Sequence, residues 1–486
     1  MSSFYKSGKN RHQQLIFPPS LDEYIDSDNS VRAIDDYITQ LDFDKLGFQD
    51  TRKSNRSDGQ KSYSPKLLMK IYLYGYLNKI RSSRMLEREC KRNIELMWLT
   101  SGLTPTYHTI SDFRKNNPKA LRKTFRHFVL LCKNLSLIGD GLKAVDGAFL
   151  KANASKNKLL MKKTIEKDLV IIDEKIETYL KTLDSSDKEK QPSNLADKLP
   201  RDIEKLKARQ QKLLDDLALL EKLKKKQHNL TDPDASLMKK PAHNLVAYNT
   251  QITVDEKFKL IVATDVSSSG NDLEQLHNMS VQSKENLEVQ ELDIVGDVGY
   301  FSAKEIKKCV DDNIKISIPE GNKTQGQKNK GKYTRDAFKY DSQNDCYVCP
   351  NNKSLKKTIS KQTKNEKLYY KYATTNPDCN GCPLREKCLS SKASYKVIYR
   401  WEYEAVVEKH RENMALEESK EIIKKRGSIV EHPFGTIKRM LGWDHYLVRG
   451  IEKVSGENAL IMFTYNFKRV LNILGIDIFR KMIRLM

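Results

Sequence analysis

Leu142-Lys-Ala-Val-Asp-Gly-Ala-Phe-Leu150 is a short apolar run with Asp146 at its middle, and it reads as a β-strand. An ionised carboxylate inside such a strand is costly unless it points to the edge of a site and meets a cation. The same texture returns at Ala247–Asp255, Phe258–Val266, Glu291–Asp297 and Ile314–Pro319. Helical patterns fall at Asn271–Leu287, Ser302–Asp311 and Val406–Leu441. The predicted order is three strands, helix, strand, helix, strand, helix, an α/β arrangement.

On the N-terminal side, Leu21 to Leu137 is helical in pattern, so residues 1–137 are predicted to form a helical domain. Ser64-Pro65 and Thr109-Ile-Ser-Asp112 read as helix starts, because a short hydroxyl or carboxylate can cap free N–H groups. The run Asn78–Arg92 is basic enough to meet phosphates, and it reads equally as a solvated helix face.

Two insertions interrupt the α/β core, which is assigned to residues 138–320 and 397–486. In residues 156–229, Ile165, Leu169, Ile172, Ile176 and Tyr179, then Ile203, Leu206, Leu213, Leu217 and Leu220, fall at helical spacing on either side of a polar break from Leu183 to Asn194. That pattern predicts a helical hairpin, read as a strut or dimerisation arm. Residues 321–396 are polar and Lys-rich, with no core of their own apparent. They hold Cys346, Cys349, Cys379, Cys382 and Cys388, whose spacing suits four thiolates around one Zn2+ in a zinc-ribbon-like module. The alternative is a metal-free loop. Cys90, Cys132 and Cys309 sit in helical patterns and read as buried apolar side chains.

The chain has 486 residues, with 87 Lys and Arg against 64 Asp and Glu, a formal net charge of +23. Such a balance favours a polyanionic partner. No apolar run is long enough to span a membrane and the start lacks a signal-peptide core, so a cytoplasmic, nucleoid-associated protein is expected.

Asp297 closes Ile294-Val-Gly-Asp-Val-Gly-Tyr300, a second acid at a strand end. Glu431 lies in Val430-Glu-His-Pro-Phe-Gly-Thr-Ile-Lys-Arg439, with Lys438 two helical turns on, on the same face. Pro433 predicts a kink or a fresh helix start near Glu431. Hard carboxylate ligands of this kind hold a pair of Mg2+ or Mn2+ ions in phosphodiester transfer, and a lysine adds positive charge beside the phosphate. Asp232 and Asp234 read as turn or cap residues, Asp265 as a strand-end residue and Asp272 as a helix-start acid. Trp401 and Trp443 read as core, and His432 as a neighbour of the site or a surface residue.

With these residues in view, the chain resembles DDE-type insertion-sequence transposases over nearly its whole length. The resemblance runs through Ser64-Pro-Lys-Leu-Leu68, Tyr107-His-Thr-Ile-Ser-Asp-Phe-Arg114, Val145-Asp-Gly147, Asp232-Pro-Asp-Ala235, Tyr248-Asn-Thr-Gln251, Gly296-Asp-Val-Gly-Tyr300, the Glu431 segment, Leu447-Val-Arg-Gly450 and Tyr465-Asn-Phe-Lys-Arg469. It implies an RNase H-like catalytic core with Asp146, Asp297 and Glu431 as metal ligands and Lys438 as a catalytic DNA contact. Such transposases often carry a Tyr seven and an Arg four positions before the Glu; here Lys424 and Gly427 stand there, and Arg426 is next to the second. The partners implied are double-stranded DNA at element ends and target, and at least a second copy of the chain. Arg81, Arg84, Arg88, His108, Arg114, Lys115, Arg426, Lys438 and Arg439 are the candidate DNA contacts, with His108–Lys115 as the recognition segment. A silenced DNA-binding descendant and a structure-specific nuclease of the same fold remain as alternatives.

Overall fold

The computed structural model describes residues 19–49, 62–186, 198–239, 244–321, 331–364 and 366–485. The N-terminal region is helical: α1 (Ser30–Gln40), α2 (Phe43–Leu46), α3 (Pro65–Leu77), α4 (Ser83–Cys90), α5 (Ile94–Thr100), α6 (Tyr107–Asn116) and α7 (Pro118–Asn134). Ser64 caps α3, accepting the Lys66 N–H at 3.3 Å, and Pro65 takes the first helical position. Helix α6 starts earlier than expected. Thr106 caps it by accepting the Thr109 N–H, so Thr109 to Asp112 lie inside the helix.

The run around Asp146 forms β1 (Lys143–Lys151). Next come β2 (Leu159–Met161), α8 (Lys162–Ser186), α9 (Lys198–Lys222), β3 (Gln227–Asn229), β4 (Ser236–Lys239), β5 (Asn244–Asp255), β6 (Ile261–Ser267), α10 (Leu276–Leu287), β7 (Leu292–Val295), α11 (Ala303–Asp311) and β8 (Ile314–Ser317). The main sheet is ordered β4-β5-β1-β7-β8, and β6 pairs the same edge of β5 as β4. β1 runs antiparallel to β5 and parallel to β7, which is parallel to β8. All five predicted strands are in this sheet.

Helices α8 and α9 lie antiparallel, since Lys162 meets Glu221 at 3.0 Å and Asp173 meets Gln210. Strands β2 and β3 pair at their base. Ile165, Ile172, Ile203 and Leu220 are buried along the seam, as the periodicity predicts. Of the predicted break, residues 187–194 lie outside the described residues.

After β8 comes a second, antiparallel sheet of β9 (Lys339–Asp341), β10 (Cys346–Val348), β11 (Ser354–Lys364) and β12 (Lys367–Ala373). Short helices α12 (Asn376–Cys379) and α13 (Arg385–Cys388) lead to its last strand, β13 (Val397–Trp401), which pairs β12 beyond the predicted boundary at Lys396. This unit does have a core, contrary to expectation: Phe338, Tyr347, Leu355, Tyr372 and Ile398 cluster in it. Aromatic rings supply the apolar area that a low aliphatic content hid.

The single predicted helix Val406–Leu441 is two helices, α14 (Glu404–Ala415) and α15 (Glu417–Gly435), separated at the extended Leu416. No fresh start occurs at Glu431. α15 runs through Pro433, and the chain then widens into a π-helical turn, Thr436–Met440, where the Leu441 N–H reaches back five residues to the Thr436 carbonyl. Proline has no N–H for the carbonyl four residues before it and crowds that carbonyl, and a wider turn follows it here. Helices α16 (Ile451–Leu474) and α17 (Ile476–Arg484) close the chain. Buried side chains of α1–α7, the main sheet and α16 form one apolar cluster. No helix among the described residues is long and apolar enough to cross a membrane.

Candidate active site

The register of β1 and β7 sets the site. Ala144 pairs with Val295 in parallel register, so Asp146 and Asp297, each two residues further on, continue from the same end of neighbouring strands. The Asp297 carboxylate accepts the Gly299 N–H at 2.8 Å, which fixes the turn after β7. Asp146 has a side chain only 25% exposed and pairs with Arg426 of α15 at 3.4 Å. Burial pushes the Asp146 carboxyl above its ordinary range; Arg426 pulls against this, and the charges of Asp297 and Asp272 add to the rise.

Asp272 belongs to this cluster, although the sequence suggested only a helix-start acid. Its Oδ1 accepts from Asn249 Nδ2 at 2.8 Å and from Gln251 Nε2 at 2.6 Å. Both amides are buried on β5. Gln251 in turn accepts from the hydroxyl of the buried Tyr300. A Cβ on Gly147 would come within 2.5 Å of Gln251 Nε2 and 2.8 Å of Asp272 Oδ1, so the backbone beside Asp146 can approach this network only as glycine. The available signal was the alternation Asn249, Gln251, two polar side chains on one face of a strand that is otherwise core.

Glu431 sits on α15, the helix that brings Arg426 to Asp146 and packs on β1, β5, β7 and β8. Its side chain is exposed, and it lies close to Gly427 one turn back. Among the described residues no three His, Cys, Asp or Glu side chains are grouped to hold a metal ion. The structure brings Asp146, Asp297, Asp272 and Arg426 together, and Glu431 follows Arg426 by five residues on the same helix. Lys438 lies in the π-helical turn, its Nζ 5.1 Å from the Phe434 ring centre. His432 faces α16, with Nδ1 3.0 Å from the Tyr465 hydroxyl and Nε2 3.4 Å from Arg469.

Two predicted DNA contacts are corrected. Arg81 and Arg114 are buried and pair with the fully buried Glu457 of α16 at 3.0 and 3.4 Å, so their charge is used inside the protein. Arg84, Arg88, His108, Lys115 and Arg439 are exposed. Helices α4 and α6 are in contact, with Arg84 5.0 Å over the Tyr107 ring. Asp232 and Asp234 are caps, as expected: Asp232 accepts from Gly450 N–H at 3.1 Å and Asp234 from Ile451 N–H at 2.9 Å at the start of α16. Asp265 accepts from Val266 N–H and Asn278. Trp401 and Trp443 are buried, as are Cys90, Cys132 and Cys309. Of the five cysteines in the second sheet's unit, Cys349, Cys379, Cys382 and Cys388 line one cavity. Cys346 does not; it is buried in β10 opposite Lys356 and Asp341.

Residues 348–471 match the family described as Transposase DDE domain, and residues 19–116 match the family described as Transposase domain (DUF772). In these two stretches the chain is similar to DDE-type transposases. The first of these transposase matches contains Arg426, Glu431 and Lys438, while Asp146 and Asp297 precede it. No curated protein matches the chain. A solved piggyBac transposase synaptic complex with hairpin DNA aligns with 94% of this chain and 79% of its own at 9% identity, with a TM-score of 0.32, too low to bear on the argument.

Proposed function

We propose that the chain is a metal-dependent DDE transposase that cleaves DNA at the terminal inverted repeats of a mobile element and joins the freed ends to target DNA. The observation that carries this is the parallel register of β1 and β7, which puts Asp146 and, two residues past the end of β7, Asp297 at the same end of neighbouring strands, with Asp272 beside them and one guanidinium in the cluster. The strand order, with β1 central, β5 antiparallel on one side, and β7 and β8 parallel on the other, supports an RNase H-like core.

Hard oxygen donors with negative charge in excess suit a divalent cation, and burial leaves Asp146 short of compensating charge. Asp146 and Asp297 would hold Mg2+ or Mn2+, with Glu431 as the third ligand from α15. A pair of such ions, when bound, activates the attacking water or 3′ hydroxyl and stabilises the leaving oxygen. Asn249 and Gln251 orient Asp272, and Arg426 keeps α15 against β1. Lys438 and Arg439, just beyond Glu431, reach the phosphate backbone. Exposed Arg84, Arg88, His108 and Lys115 of α4 and α6 give a basic face for the element end, and the active assembly is at least a dimer on paired ends.

Strand cleavage and transfer on DNA carrying the element's own ends, with Mg2+, tests the proposal. Wild type cuts and joins, and Asp146→Ala, Asp297→Ala and Glu431→Ala do neither. A wild type that only binds the ends is the silenced descendant, and one that cuts without joining is the nuclease. An Asp146→Ala enzyme with full activity removes the site assignment.

A further inference from the structure

We propose that Cys349, Cys379, Cys382 and Cys388 form a structural site for one tetrahedral Zn2+, and that Cys346 is not part of it. The inference is independent of the transposase reading. Three separate segments deliver these thiols to one cavity. Cys349 lies in the turn from β10 to β11, where its N–H donates to the Lys353 carbonyl at 2.9 Å. Cys379 ends α12 and Cys388 ends α13. Between Cys379 and Cys382, Gly381 adopts φ +86°, a left-handed turn that brings the second cysteine to the same cavity.

Two of the sulfurs also accept from donors of the kind that stabilise thiolate charge, and a third has a hydroxyl beside it. Lys353 N–H donates to Cys349 Sγ at 3.3 Å, Asn351 Nδ2 to Cys382 Sγ at 3.5 Å, and the Thr374 hydroxyl is 3.1 Å from Cys379 Sγ. Four thiolates around Zn2+ carry net negative charge, and Lys353, Arg385 and Lys396 line the same cavity. The acid there, Asp378, is engaged by Thr375. A staple is needed at this place: residues 374–396 contribute only Cys388 to the small apolar cluster of the second sheet. The thiols are not closed around a point, and Cys349, Cys382 and Cys388 are only half-buried; metal binding would turn them about χ1 into the cavity they share.

The test is the metal content of the full-length protein purified under reducing conditions, with a Co2+ titration of protein stripped by chelator. Wild type and Cys346→Ser carry near-stoichiometric zinc and give the visible absorption of tetrahedral thiolate-bound cobalt. Cys382→Ser and Cys388→Ser each lose most of the zinc. If wild type, folded by circular dichroism, takes up neither metal, the site does not exist. Loss of zinc in Cys346→Ser as complete as in Cys382→Ser would remove the ligand assignment, and disulfides among the four cysteines would replace it with a redox pair.

Discussion

At Asp146 the proposed metal-binding role and stability pull in opposite directions. Its carboxyl is raised by burial and by Asp297 and Asp272, against Arg426. Between its unfolded value and that raised folded value, the folded chain holds a proton that the unfolded chain has released. Its contribution to the stability of the metal-free protein therefore falls as pH rises through that window. Asp146→Asn is expected to flatten this slope and to leave the metal-free protein at least as stable as wild type at neutral pH, while abolishing strand cleavage; thermal melts across the acid range in chelator read the first effect. A marked loss of stability would mean that the pair with Arg426 outweighs the desolvation. Gly147→Ala brings a methyl against Gln251 and Asp272, so cleavage should fall by at least tenfold with the fold intact, read as kcat on element-end DNA. Asp146 was legible because a carboxylate in an apolar strand is conspicuous. Asp272 was not, because its place depends on two amides that meet it across the sheet from β5.

Among the elements, α16 ties the molecule together. Its Glu457 accepts from Arg81, from Arg114 and from the N–H groups of Leu447 and Val448 at 2.9 and 3.1 Å, joining the N-terminal helices to the segment after the π-helical turn. Burial opposes its charge, yet Arg114 and Arg81 hold the carboxyl below its ordinary range. Its stabilisation is complete above the unfolded carboxylate value and is lost as pH falls through the lowered folded one. Glu457→Ala leaves two buried guanidinium groups without their partner and should cost about 3–5 kcal/mol, measured by urea unfolding. Sequence could not show this: Arg81 and Arg114 lie in a basic region that reads as a DNA face, and their partner is more than three hundred residues away. Helix α15 shows the same limit. Pro433 announced a disturbance, but not that α15 would run through it and widen into a π-helical turn.

At the scale of the whole molecule, strand texture and order were legible because each strand buries apolar side chains and so shows its period locally. The hairpin of α8 and α9 was legible for the same reason. The second sheet's core was not, since its rings sit among lysines, several of them stacked on those rings, as Lys357 is on Tyr370 at 4.3 Å. The two transposase matches fall on the N-terminal helices and on the C-terminal half, and the sheet that carries Asp146 and Asp297 lies between them. On the proposed function, Asp146 of that sheet and Asp297 just past β7 form one metal site. Mn2+ binding followed by electron paramagnetic resonance on the folded, DNA-free protein tests it most directly. Wild type and Asp265→Asn should bind Mn2+ alike, and Asp146→Asn and Asp297→Asn should each weaken binding at least tenfold. Undiminished binding in the Asp146→Asn, Asp297→Asn double variant would mean that the two acids hold no metal.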